Sequence, residues 1–193
     1  RGLGDVYKRQ DPAGRELMNR RMFEEIDRVL GGNTSHAQQM AYLLMTASGC
    51  HILSAIRELI GLPKAIRSAV VSTNGMQFSL VFEYDNFNMV FEEMNDQEIV
   101  EFDEAIEIYQ GDRKMLLEYD TPYIRYLPSK LTVSELDCGQ AKTTVYGPHY
   151  HDMFANELLE FYRCVTTHDT PKCDVFDAAE DVKLYIDVAK MMK

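Results

Sequence analysis

Several things are scarce or missing in this 193-residue sequence, and each absence removes a class of function. Basic residues are few: 20 Lys and Arg stand against 31 Asp and Glu, a formal charge of -11. No basic run is longer than Asn19-Arg20-Arg21. Nucleic acid and anionic membrane surfaces repel a chain of this charge, so neither is expected as a partner. No unbroken apolar run approaches the roughly 18 residues of a membrane span, and no membrane association is expected. The first ten residues, RGLGDVYKRQ, lack the apolar core of a signal peptide. They are similar to a translated scar found at the ends of assembled sequence fragments. The native domain is therefore expected over 11–193, with 1–10 foreign to it and more chain once preceding it.

Cysteine is present four times, at Cys50, Cys138, Cys164 and Cys173, but never as CxxC, and the spacing gives neither a zinc ribbon nor a disulfide framework. Reduced thiols in a cytoplasm are expected, even for Cys164 and Cys173, which could meet across a turn. Neither GxGxxG nor GxxxxGK[ST] can be written from these residues, so both familiar phosphate cradles are absent. The GxSxG elbow of serine hydrolases is absent too.

What is present is an ordinary globular composition, 46% hydrophobic and 26% charged, long enough for one sizeable core. From Asp11 to Leu30 the pattern is helical, with Leu17, Phe23, Ile26, Val29 and Leu30 as an apolar face and Asp11-Pro12 as its opening. A second helix is expected from Ser35 or His36 to about Thr46. Then comes MTASGCHILSAIRELIGLP, residues 45–63, in which His51 stands at the start of a third helix. Ile52, Ala55, Ile56, Leu59 and Ile60 predict its buried stripe, with Ser54, Arg57 and Glu58 on the other side. Gly49 allows a sharp turn or a close approach ahead of His51. By itself this histidine reads either as a core or capping residue or as one presented to a ligand.

After Pro63 the period changes to two. Strands are expected at 65–72, 77–84, 87–93, 105–110, 113–119, 131–136 and 143–146, joined by turns short enough to force antiparallel pairing. The loop YDTPYIRYLP, 119–128, offers Tyr123 and Arg125 as substrate or subunit contacts, or simply as an aromatic cover over a sheet edge. His149-Tyr150-His151 with Asp152 could begin a metal site but has no third or fourth ligand of defined spacing, so helix-start residues are the simpler expectation. The carboxylates from Glu92 to Glu107 read as a solvated hairpin face. Two helices close the chain. One follows Asp152 with a stripe of Phe154, Leu158, Phe161, Tyr162 and Val165. The other opens at Asp174 or Asp177 with Val182, Tyr185, Ile186, Ala189 and Met192 on one face. The expected class is α+β: a mainly antiparallel sheet of about six strands with helices packed on one face.

This order of elements, together with two stretches, resembles a known family. SGCHILSAIRELIGLPKAI is similar to the segment of the Gfo/Idh/MocA oxidoreductases, the glucose-fructose oxidoreductase and inositol dehydrogenase group, in which Gly-x-His precedes a helix ending in Gly-x-Pro. HYHDMFANELLEFYRCVTTHDTPKCDVFDAAEDVKLY is similar to that family's closing pair of helices. The resemblance runs over nearly everything from Asp11 onward and is to the family's C-terminal domain. It implies a substrate-binding and oligomerising half of an NAD- or NADP-dependent enzyme that acts on a sugar, polyol or related hydroxylated substrate. The cofactor would be held mainly by an N-terminal Rossmann domain outside this chain, so the chain alone is expected to be inactive. It implies also that His51 is the catalytic histidine, working with a lysine of that other domain, because oxidation of a carbinol releases a hydroxyl proton that a base near neutrality can take. Homo-oligomers would form through the sheet face, with Leu80, Phe82, Val90 and Phe91 lining one face or the other. One position departs: where many members carry aspartate four residues before the histidine, this chain has Ala47. With it, a non-enzymatic oligomerisation or ligand-binding module of the same fold stays open as the alternative.

Overall fold

A computed structural model describes residues 11–96, 98–99, 101–121, 129–149 and 153–193. The chain divides into two compact units, one of residues 1–96 with 175–193 and one of residues 97–174.

In the first unit, α1 (Pro12–Leu30) starts where the Asp11 carboxylate accepts from the Ala13 amide and stops at Gly31, which takes φ 94°. Ile26 and Leu30 are buried, whereas Leu17 and Val29 are exposed, so the inward face is narrower than the pattern suggested. The turn after it is tied down by Asp27, which accepts from the Thr34 amide and hydroxyl. α2 (His36–Leu44) opens with a reciprocal cap: Ser35 Oγ accepts from the Gln38 amide while the Gln38 side chain accepts from the Ser35 amide. It does not end at Thr46. Five residues, Met45–Gly49, form a π turn that leads straight into α3 (Cys50–Ile60), giving one unbroken helix from His36 to Ile60. That 25-residue helix is long and apolar enough to cross a membrane by length and composition, although its apolar residues are interrupted by polar ones. Its partners here are protein: α2 packs against α1, and Ala41, Tyr42, Leu44, Met45, Ile52 and Leu53 are core.

Three antiparallel strands follow in the order β1 (Ala65–Val71), β2 (Gln77–Glu83), β3 (Asn88–Met94). Register pairs Leu80 with Ala69 on one side and Phe91 on the other, so Phe78, Leu80, Phe82, Ala69 and Phe91 form one buried face. Val90, one residue out of phase, is 65% exposed on the opposite face. The β1–β2 turn is pinned by Gly75, at φ 75°, where a Cβ would meet Met40 Cβ at 2.5 Å and the Ala37 carbonyl at 2.6 Å. Only glycine fits both that backbone and that approach to α2. The closing helix of this unit spans Val175–Met191, with Tyr185, Val188, Ala189 and the following Met192 buried and Val182 exposed. Gln38 Nε2 donates to the Ala189 and Met192 carbonyls and so satisfies its C-terminal turn. Phe78, Phe82, Met45, Leu80 and Val188 are sealed from solvent, each worth about 1.5–3 kcal/mol of burial.

In the second unit, β4 (Glu104–Gln110), β5 (Arg113–Tyr119), β6 (Ser129–Asp137) and β7 (Gln140–His149) form an antiparallel sheet in that order. Ile106, Leu117, Leu131 and Tyr146 line up across all four strands, as do Ile108, Met115, Val133 and Thr144. These rows form an apolar face in which Ile106 alone is buried. The other face carries Lys114 with Glu107 and Lys130 with Glu118, each pair at 2.7 Å. α4 (Met153–Thr167) has the expected stripe of Phe154, Leu158, Phe161, Tyr162 and Val165, but all five are exposed and only Cys164 is buried. We number the Val175–Met191 helix α5. The α+β class holds; the seven strands lie in two sheets rather than one.

Candidate functional site

The π turn is the least ordinary piece of backbone in the chain, and His51 lies two residues beyond it. A π turn adds a residue to the helical turn and leaves carbonyls of the preceding turn poorly placed for their usual amide partners. Within it the Thr46 hydroxyl donates back to the carbonyl of Tyr42 at 2.9 Å, which also takes the Met45 amide, and to that of Leu43 at 3.1 Å. Around the turn Met45 and Gly49 face inward, while Ala47, Ser48 and His51 are exposed. His51 therefore does not open a helix, as expected from sequence. It sits inside a continuous one, held by helical hydrogen bonding on both sides, with its own carbonyl also accepting from Ser54 Oγ at 3.2 Å.

Beneath the turn lies a cluster of polar groups that sequence reasoning did not assemble. Gly49 faces Glu93 of β3: a Cβ on residue 49 would overlap Glu93 Oε2 and lie 3.4 Å from the carboxyl carbon. That oxygen is shielded from solvent, as is the hydroxyl of Tyr185 on α5, which has no hydrogen-bond partner among the described residues. Burial pushes the Cys50 thiol upward, and the nearby charges of Glu93 and Asp181 push the same way, against the backbone amides of Cys50 and His51. Burial likewise raises the Tyr185 hydroxyl far above the usual tyrosine range, assisted by Asp181.

About two turns further on, Arg57 joins α3 to α5. Its Nε donates to Asp181 Oδ1 at 2.6 Å and its Nη1 and Nη2 to the Asp177 carboxylate at 2.8 and 2.7 Å. Hydrogen bonds to Asp177 and then Asp181 hold the guanidinium firmly charged. The sequence pattern places Arg57 on the outer side of this helix and Leu59 in the buried stripe. The structure exchanges them: the Arg57 side chain is 17% exposed and Leu59 is 57% exposed. Two carboxylates on α5 are a stronger draw for Arg57 than solvent, and they turn the helix accordingly. Glu93, placed among solvated hairpin carboxylates, shares its strand face with Phe91. Of the adjacent pair Glu92-Glu93 one had to point inward, and the period-two pattern could have named it.

The remaining candidates are not brought together. Tyr123 and Arg125 lie outside the described residues, as do His151 and Asp152. His149 ends β7, exposed, and among the described residues no three His, Cys, Asp or Glu side chains are grouped to hold a metal. All four cysteines are free thiols. An open groove of about 410 Å³ beside the β4–β5 turn is lined by Tyr109, Arg113, Lys114 and Glu135. Its two cations are paired, Arg113 with Glu135 and Lys114 with Glu107.

No protein-family model and no curated protein matches the chain. Among solved structures the fold is similar to that of the "putative oxidoreductase yvaA" from Bacillus subtilis. The TM-score is 0.58 and the identity 12%, over 76% of this chain and 48% of that one. The chain spans about half the length of that protein. At such identity the likeness is one of fold alone.

Proposed function

We propose that residues 11–193 are the substrate-binding and oligomerising half of an NAD- or NADP-dependent oxidoreductase of the Gfo/Idh/MocA type, acting on a sugar, polyol or related hydroxylated small molecule. The observation that carries this is His51: an exposed imidazole on a helix whose other side is core, fixed just after a π turn, in an oxidoreductase-like fold. In this proposal His51 exchanges a proton with the substrate hydroxyl, and Tyr123 and Arg125 contact substrate. The chain's own residues offer the dinucleotide no phosphate-cradling glycine loop. The cofactor belongs in a separate domain. A cytoplasmic setting suits the four free thiols. For self-association the outer face of the first sheet is the candidate, since Val70, Val90 and Met94 are exposed there. Leu80, Phe82 and Phe91 are core and take no part.

The test begins with the coding sequence upstream of Asp11. A strand, a GxGxxG turn and a downstream lysine segment are expected there, and a start codon at that point sinks the proposal. With the longer protein in hand, His51→Ala should lower NAD(P)-linked turnover of polyols by about 10²–10⁴-fold with its Tm unchanged, the range for loss of a general base. Unchanged turnover removes His51 from the chemistry. Ala47 favours a second reading, a ligand-binding or oligomerising module without activity, and that is the outcome if the longer protein turns over no hydroxylated substrate.

A further inference from the structure

The contact between Gly49 and Glu93 reaches further than packing. Gly49 is the last residue of the π turn and His51 is the second residue of the α-helix that leaves it. Because the turn carries an extra residue, α3 emerges rotated by roughly 100° from the direction a plain α-helix would give it. Whatever holds the turn open thus sets the direction in which His51 is presented. The Thr46 hydroxyl bonds back to the carbonyls of Tyr42 and Leu43 on one side of the turn. On the inward side the Glu93 carboxylate fills the space that any side chain at 49 would need.

We propose that Glu93 is a positioning residue for His51, a wedge from β3 that keeps the π turn and hence the direction of the imidazole. The functional weight of this rests on the proton-transfer role given to His51 above. Glu93 acts through the backbone of Gly49; its carboxylate is below the helix and His51 is on the exposed side.

The experiment uses the 193-residue chain and the imidazole Cε1–H resonances, with His51 assigned by its loss in His51→Ala. Glu93→Ala and Gly49→Ala are expected to displace or broaden the His51 resonance, while those of the other four histidines, His36, His149, His151 and His168, stay in place. Glu93→Gln, which keeps the shape of the wedge, is expected to restore the wild-type position. If Glu93→Ala does not fold, Glu93→Asp withdraws the carboxylate from Gly49 by one methylene and is expected to shift His51 as well. A folded Glu93→Ala or Glu93→Asp chain whose His51 resonance is unmoved overturns the proposal, as does displacement of all five histidines alike. The two roles fail separately. A moved resonance with full turnover in His51→Ala of the longer protein leaves positioning standing and removes the proton transfer. An unmoved resonance with lost turnover does the reverse.

Discussion

Replacing Arg57 by methionine should be among the most damaging single changes in the first unit. The guanidinium is shared between Asp177 and Asp181, and the three side chains are 17%, 36% and 10% exposed. Methionine keeps the aliphatic length but leaves the Asp181 carboxylate in a buried place with its cation gone. Breaking a buried pair in this way costs about 3–5 kcal/mol, chiefly because the remaining charge is uncompensated. Asp177 reaches solvent, so the lower end applies, about 3 kcal/mol. For a cooperative unit of roughly a hundred residues each kcal/mol lowers Tm by about 4–5 °C, and a fall of about 12–15 °C is expected by calorimetry. Asp177→Asn, at the wetter carboxylate, should cost only about 1 kcal/mol. Arg57→Met combined with Asp181→Leu should recover most of the loss, because a buried pair replaced whole by apolar groups is often neutral. A fall of less than about 4 °C for Arg57→Met, or a double variant no better than the single one, would show that the cluster is well solvated and that α3 is not fixed by it.

Gly75→Ala should destabilise the first unit by about 2–4 kcal/mol in chemical denaturation, since it combines a left-handed backbone with overlap of Met40 and Ala37; a loss under about 0.5 kcal/mol refutes the close approach. In α4, Arg163 holds the Glu160 carboxyl down to about 2 from its usual value of 4.5. A depressed folded-state value stabilises the fold above pH 4.5 and the benefit is lost as pH falls towards 2. A carboxylate NMR titration should show Glu160 returning towards 4.5 in Arg163→Ala. Thiol labelling under native conditions should modify exposed Cys138 and Cys173 first and buried Cys164 last, with Cys50 and Cys164 slowed further by their raised thiol pKa. Equal rates at all four would mean that the burial described here is not kept in solution.

Much of the fold was legible because its strands are short, alternating and separated by strong turns. Thr73-Asn74-Gly75, Asp85-Asn86 and Gly111-Asp112 mark hairpins whose observed strands differ from expectation by one residue or none. β6 and β7 run longer than their apolar cores, to Ser129–Asp137 and Gln140–His149, because ladder pairing carries polar residues such as Lys142 and Glu135 along with it. Helix faces were less legible. The α3 stripe was read with a uniform period, yet Leu59 points out and Arg57 in, and no count of apolar residues foresees that two aspartates more than a hundred positions away will take the arginine.

The sequence alone determined the α+β class, the antiparallel pairing and the prominence of His51, because each is written in local spacing: alternation for strands, three- and four-residue steps for helices, glycine where the chain must turn. Only the tertiary structure decided that His51 lies within a continuous helix rather than at its start, that the Glu93 carboxylate lies against Gly49, and that Arg57 bridges to α5. Those facts depend on which distant surfaces meet. A π turn is rare in a helix, and local spacing does not announce which strand will lie beneath it.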